Sequence, residues 1–156
     1  LNPYIVQIVI EACVSVDHPG WLGLRDALWP DGQPEEHLDE MHAFLAEPER
    51  YVQYVARLAT DGTPVGLVEA AQRRDYVNGT QTSPVVFLEG IYVPPAFRRN
   101  GIARQLLAQV EAWARAQGCC EFASDASLEN RASHVFHARA GFRETERVVY
   151  FVKRID

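Results

Sequence analysis

Val85-Val86-Phe87-Leu88-Glu89-Gly90-Ile91-Tyr92-Val93 runs through Pro94-Pro95-Ala96-Phe97 into Arg98-Arg99-Asn100-Gly101-Ile102-Ala103. An apolar run of strand length meets a proline hinge, and an R-x-x-G-x-A loop follows. From Gly101 to Gln117, the residues Ile102, Leu106, Leu107, Val110 and Trp113 fall on one stripe of a helix. The first turn of a helix leaves backbone N–H groups unpaired at the positive end of its dipole. Gly101 allows an anion to approach that backbone closely, and Arg98, Arg99 and Arg104 surround it with positive charge. Strand, loop and helix therefore predict a pyrophosphate cradle. Neither G-x-x-x-x-G-K-[ST] nor G-x-G-x-x-G occurs in the chain, so P-loop and dinucleotide-fold readings have no motif here.

Upstream of that strand, Tyr4–Cys13 is rich in Ile and Val and reads as a first strand. Asp17 is placed to cap a helix through Trp21, Leu24, Leu28 and Trp29, which Pro30 stops. A second helix is expected over 35–46. Strands over 51–59 and 64–74 are joined by Thr60-Asp61-Gly62-Thr63, a hairpin signal. After the turn Asn78-Gly79-Thr80, the central strand spans 83–93. Downstream of the cradle helix come a strand over 121–125, a helix over 132–140 and a last strand over 143–153. The order β-α-α-β-β-β-α-β-α-β joins antiparallel hairpins to one βαβ unit, which predicts an α/β fold on a mixed sheet.

With 156 residues and no repeat or linker, the chain reads as one domain over 1–156. Its apolar fraction of 47% and charged fraction of 23% are those of a soluble globular protein. No apolar run approaches the ~20 residues that span a bilayer, so no membrane partner is expected. Tyr4–Ile10 lacks the flanks of a signal peptide. Three cysteines cannot all pair, and a reduced, cytoplasmic setting is the simplest reading. A net charge of −6 argues against nucleic acid as a partner. The basic cluster on that acidic background suggests a divided surface, basic for an anionic cofactor and acidic elsewhere, where the charge suits a cationic ligand or merely aids solubility.

The strand, the R-x-x-G-x-A loop and its helix resemble the acetyl-CoA-binding core of the GNAT N-acetyltransferases. Asn130 opening a helix and Gly141-Phe142 closing it resemble the same superfamily. Narrower segments are similar to the aminoglycoside 6′-N-acetyltransferases: Leu28-Trp29-Pro30, Asp75-Tyr76-Val77-Asn78-Gly79, Ser83-Pro84-Val85, Phe87-Leu88-Glu89-Gly90, Ala123-Ser124-Asp125 and Gly141 to Val148. The resemblance implies the GNAT acyl-CoA N-acyltransferase fold, a mixed sheet with splayed central strands flanked by helices. It also implies acetyl-CoA as co-substrate, an aminoglycoside as acceptor at its 6′-amine, antibiotic resistance as outcome, and a homodimer. Pantetheine would lie in the splay along Ile91, Tyr92 and Val93 and pair with the backbone of Ile91 and Val93, as an added strand does. The loop from Arg98 through Asn100, Gly101, Ile102 and Ala103 to Arg104 would hold the pyrophosphate, and Asn130 the pantetheine arm. Asn130 fits a plain helix N-cap equally well. Trp29, Tyr76 and Glu146 fall at the substrate site by resemblance. From the residues alone, Trp29 reads as helix-end core and Tyr76 as a hairpin residue.

Glu89 is a carboxylate amid apolar strand residues, where a charge must be paired or face a cleft. A salt bridge to an arginine is one reading. A bulge at Gly90 that turns Glu89 toward the reacting group is the other. Asp125 ends the neighbouring strand, on the side where ligands collect in α/β sheets, or else caps a turn. An ammonium has no lone pair to attack a thioester, and a carboxylate can bind it, orient it and take its proton. The N–H of Ile91 could stabilise the developing oxyanion. His137 stands seven residues after Asn130, where many GNAT chains have a Tyr acid, and reads either as an acid or as a packing residue. His134 and His137 have no third ligand at a recognisable spacing, so no metal is expected. Two rival readings remain: a GNAT enzyme for another small amine or protein amine, and a non-catalytic acyl-CoA-binding module.

Overall fold

The computed structural model describes residues 5–156. Its elements, in chain order, are β1 (Ile8–Ala12), α1 (Trp21–Leu28), α2 (Pro34–Ala46), β2 (Tyr51–Leu58), β3 (Pro64–Arg73), β4 (Val85–Tyr92), α3 (Ile102–Ala116), β5 (Phe122–Ala123) and α4 (Arg131–Arg139). A single 3-10 turn, Pro95–Phe97, lies between β4 and α3. The strands form one sheet in the order β1-β2-β3-β4-β5, antiparallel through β4, with β5 parallel to β4. This is the expected α/β fold on a mixed sheet. Tyr4, the expected start of the first strand, lies outside the described residues.

Both faces of the sheet are covered, and β3 is buried along almost its whole length. On one face α3 lays Ile102, Leu106, Leu107 and Val110 against Ala56, Val68 and Val86. Gly66 makes this contact possible, because a Cβ there would stand 2.9 Å from side-chain atoms of Ile102 and Leu106. On the other face α1 and α2 set Trp21, Leu24 and Met41 against Val55 and Leu67. The start of α2 is fixed by a capping box. The backbone N–H of Gln33 donates to the Glu36 carboxylate (3.1 Å), and the Gln33 side chain closes the reciprocal bond. Asp17 does not cap α1, which begins after Gly20 in the left-handed conformation (φ 90°).

Two departures matter for function. First, β3 and β4 change register between Glu69 and Ala70: Glu69 faces Gly90, and Ala70 faces Leu88. Glu89 is the extra residue of a β-bulge. Second, the strand expected over 143–153 is absent. Residues 143–156 are exposed and belong to no ladder. Strand propensity alone makes no strand, because the backbone N–H and C=O groups must find a neighbour, and none is supplied among the described residues.

Candidate active site

The site is organised by where β4 and β5 part. Their pairing runs only through Val86–Phe122 and Phe87–Ala123. Beyond it β4 continues to Tyr92 while β5 stops, so among the described residues the edge of β4 from Leu88 onward has no strand on that side. Continuing the parallel register sets Asp125 level with Glu89 across the opening. Ile91, Tyr92 and Val93 line this free stretch. Backbone groups of alternate residues along it can face an extended ligand.

At its far end the β4 edge runs into the loop before α3. Arg99 (φ 65°) and Gly101 (φ 75°) both adopt the left-handed conformation. For a non-glycine residue that geometry is uncommon and is held only by its surroundings. Asn100 supplies the hold: its side-chain amide donates to the carbonyls of Phe97 (2.9 Å) and Arg98 (3.2 Å). Arg98 also braces the loop, since its Nε–H donates to the Val93 carbonyl (2.8 Å). A Cβ on Gly101 would meet nothing within 4 Å, so open space stands in front of the α3 terminus. There the N–H groups of Ile102, Ala103 and Arg104 have no intrahelical acceptor.

On the α1–α2 side a cavity of about 400 Å³ is lined by Arg25, Trp29, Glu36, His37, Glu40, Phe44, Glu69 and Glu89. Glu89, on the bulge, projects to it and pairs with Arg73 (2.9 Å), each about one-third exposed. Glu89 is thus salt-bridged, as one of its sequence readings has it, and it also lines a cleft. Trp29 is wedged between the Arg25 guanidinium, 4.9 Å from its ring centroid, and Gly90. A Cβ at Gly90 would lie 2.6 Å from the indole ring. Gly90 therefore serves the bulge and the seating of Trp29 together.

Beneath the cavity is a buried polar network that the sequence did not disclose. Arg25 donates twice to Glu69 (2.5 and 2.7 Å) and also bonds Glu40. The Trp21 indole N–H donates to Glu69 (2.8 Å). Burial pushes the Glu69 carboxyl above its ordinary range, with Arg25 and Trp21 opposing it. His37 accepts from Arg25 through Nδ1 (3.4 Å). Its Nε2, on the cavity wall, is buried without a partner among the described residues. The i, i+4 spacing of Trp21 and Arg25 puts both on the buried face of α1. A sequence signal for Arg25 was therefore available, but nothing local pointed to Glu69 on β3.

The other expected residues are spread around the opening. Tyr76 is 75% exposed on the loop before β4. Asp125 is exposed just beyond β5. Glu146 is exposed one residue after Thr145, whose side chain abuts Gly79 in the Tyr76 loop. Asn130 does cap α4, accepting from the Ser133 N–H (3.1 Å) through Oδ1, which leaves its amide nitrogen for a ligand. His137 is a packed, hydrogen-bonded residue. Nδ1 lies 2.7 Å from the Ser133 carbonyl, so it carries the proton, and Nε2 accepts from the Ser124 hydroxyl (2.7 Å). Its ring meets Phe136 and Phe142 edge-on. Among the described residues, no group of three His, Cys, Asp or Glu is arranged to hold a metal ion.

Comparison with known proteins converges on one group. The model of the acetyltransferase (GNAT) family matches residues 21–142. The aminoglycoside N(6')-acetyltransferase type 1 of Acinetobacter genomosp. 13 is 57% identical over 135 residues, covering 86% of this chain and 90% of that protein. Among solved structures, the aminoglycoside antibiotic 6'-N-acetyltransferase AAC(6')-Ih of Acinetobacter baumannii superposes with a TM-score of 0.89 at 47% identity, covering 96% of this chain and all of that one. AAC(6')-Iy, solved with the bisubstrate analogue CoA-S-monomethyl-acetylneamine, gives 0.88 at 42% identity, covering 96% and 99%.

Proposed function

This chain belongs to the acetyltransferase (GNAT) family, and on that premise we propose that it transfers the acetyl group of acetyl-CoA to the 6′-amine of aminoglycosides. The observation that carries the reading is the free edge of β4, which joins an anion cradle at one end to an acidic cavity at the other. The cradle accepts the pyrophosphate on the N–H groups from Arg99 to Arg104, and the backbone of Ile91 and Val93, on either side of Tyr92, pairs with the pantetheine amides. Asn130 donates to the same arm.

Acetyl-CoA supplies a thioester, and the chain supplies placement and charge. The substrate ammonium binds Glu89 and Asp125 on opposite sides of the opening. Because Arg73 holds one oxygen of Glu89, the other remains to accept from the amine. Loss of a proton to carboxylate or water frees the nitrogen lone pair. The N–C bond forms as the C–S bond breaks, the Ile91 N–H steadies the carbonyl oxygen, and the thiolate takes a proton as it leaves. The bond from Ser124 to His137 commits that imidazole to a structural role, so the thiolate takes its proton from solvent. Trp29 offers a face to a sugar ring, and Tyr76 and Glu146 reach the acceptor from the outer loop. Glu36, Glu40 and Glu69 give the cavity the negative charge that a polyamine seeks.

The proposal extends to one catalytic domain over 1–156, a cytoplasmic setting and a homodimer. The described residues contain no helix long and apolar enough to cross a membrane. A thiol-release assay with acetyl-CoA against kanamycin, tobramycin, spermidine and a basic peptide tests the activity, with NMR locating the new amide. Acetylation at the 6′-amine is expected. Acetyl-CoA binding without thiol release would instead mark a non-catalytic module, and release only with spermidine or peptide would mark another acceptor class.

A further inference from the structure

Among the polar groups that line the cavity on the α1–α2 side, one differs in kind from the rest. Glu36, Glu40, Glu69 and Glu89 offer carboxyl oxygens, which accept hydrogen bonds. The Arg25 guanidinium is directed to Glu69, Glu40 and His37. His37 is only 4% exposed, and its Nε2 is buried on the cavity wall with no hydrogen-bond partner among the described residues. Buried polar atoms are ordinarily paired, and one left unpaired is destabilising. The cavity is therefore built to receive a group that pairs with it.

The chemistry of that group follows from the other ring nitrogen. Arg25 has only donors, so its Nε–H bonds Nδ1 (3.4 Å) through a lone pair on that atom. The proton of the neutral ring is then on Nε2. There it is a donor with no lone pair to offer, so His37 is not a base for the reacting amine. An ammonium group has only donors and does not satisfy it. An anion is repelled by the glutamates around it. A neutral oxygen remains. The chain also leaves room for one, since a Cβ on Gly32 would stand 2.9 Å from both Cε1 and Nε2 of the ring.

We propose that the Nε2–H of His37 donates to a hydroxyl oxygen of the amino-sugar ring that carries the reacting amine, at its 3′ or 4′ position. Glu89, which takes the reacting ammonium in the function proposed above, lines the same cavity of about 400 Å³, so the oxygen belongs to that ring. The carboxylates hold ammonium groups, and His37 reads the uncharged oxygen beside them. Together they favour an amino sugar over a polyamine chain, which brings ammonium groups and no oxygen. A buried donor set to meet a hydroxyl penalises an acceptor that lacks it, because the donor then stays unpaired. Arg25 acts through His37 by fixing its tautomer and is a positioning residue. This inference rests on the aminoglycoside reading and adds a specificity-determining residue to it.

Three aminoglycosides with the same 6′-amine isolate the contact: kanamycin B, tobramycin, which lacks its 3′-hydroxyl, and dibekacin, which lacks the 3′- and 4′-hydroxyls. Thiol release gives kcat/KM for each with the wild-type chain, His37→Phe, His37→Gln and Gly32→Ala. A ratio between two substrates on one preparation does not depend on how much of it is folded. In His37→Phe, either the kanamycin B to tobramycin ratio or the tobramycin to dibekacin ratio should fall by about 10- to 100-fold from its wild-type value. His37→Gln keeps a side-chain N–H donor and should hold that ratio close to wild type. Gly32→Ala crowds Nε2 while leaving Arg25 and its partners in place, and should lower the same ratio. That variant decides the matter where His37→Phe has no activity. Wild-type ratios in His37→Phe, or in Gly32→Ala where His37→Phe is inactive, would overturn the inference alone. No thiol release from any of the three with the wild-type chain would overturn the acetyl-transfer reading and this inference with it.

Discussion

The two faces of the sheet are built from different materials. Beneath α3, contact is apolar apart from Gln72, whose amide reaches the Gln117 carbonyl at the helix end (3.5 Å), and the proposed cofactor cradle above it consists of backbone N–H groups whose direction follows from φ and ψ. Beneath α1 and α2, the contact includes Arg25 and Glu69, only 1% and 2% exposed, with Trp21 and His37 bonded into the same network. A phosphate is recognised by dipoles that any sequence of the right shape can present. A cation is recognised by carboxylates, so the proposed substrate side carries buried charge that the proposed cofactor side does not need.

The largest expected effect breaks the charged side. Arg25→Met leaves Glu69 buried without its cation and should lower unfolding free energy by about 3–5 kcal/mol, read by urea denaturation. Adding Glu69→Leu should restore most of the loss. A single variant as stable as wild type would mean that the α1–α2 side is held like the α3 side, chiefly by apolar contact.

Glu89→Gln and Asp125→Asn test whether charge on that side serves the amine. Each should lower kcat/KM for an aminoglycoside by roughly 10- to 1000-fold, with acetyl-CoA affinity unchanged by calorimetry. A fall confined to KM would identify a binding carboxylate, and a fall in kcat with an altered pH profile a base. Full activity in both variants would remove the acidic site.

Gly101→Val probes the backbone side. A β-branched residue resists φ 75° and crowds the approach to the N–H groups. CoA binding should weaken by about 10- to 100-fold, from a strain of about 1–2 kcal/mol together with lost contacts, while the melting curve shows a folded protein. Unchanged affinity would withdraw the cradle.

The smallest effect contrasts two glutamates. Glu121 is partly exposed, and bonds from the Thr82 hydroxyl and the N–H groups of Gln81 and Thr82 hold its carboxyl below the ordinary value of 4.5. Its contribution to stability is present above pH 4.5 and is lost as pH falls through the lower folded value. Glu69, raised by burial, acts with the opposite sign: stability declines as pH rises from about 4.5 through its higher folded value. Glu121→Gln should therefore flatten the acid limb of a stability-against-pH curve, and Glu69→Gln should not.

What the residues alone determined lies within short windows. The stripe from Ile102 to Val110, the hairpin turn at Asp61-Gly62, the left-handed Gly101 and the bulge beside Gly90 follow from periodicity and from the conformations that glycine permits. Segment resemblance added the family and the acetyl-transfer chemistry. Tertiary structure decided the rest, because it depends on partners distant in the chain. Glu69 meets Trp21 and Arg25 across more than forty residues, Glu89 finds Arg73 through the β3–β4 register, and Ser124 orients His137. Arg98 was legible as a cation but not as a brace, since its acceptor is a carbonyl that any residue could offer. The last strand shows the same limit most plainly. Val148 to Val152 specify an extended, two-faced apolar segment, but pattern and propensity do not say which edge will pair with it, since a strand exists only where a neighbour accepts its hydrogen bonds.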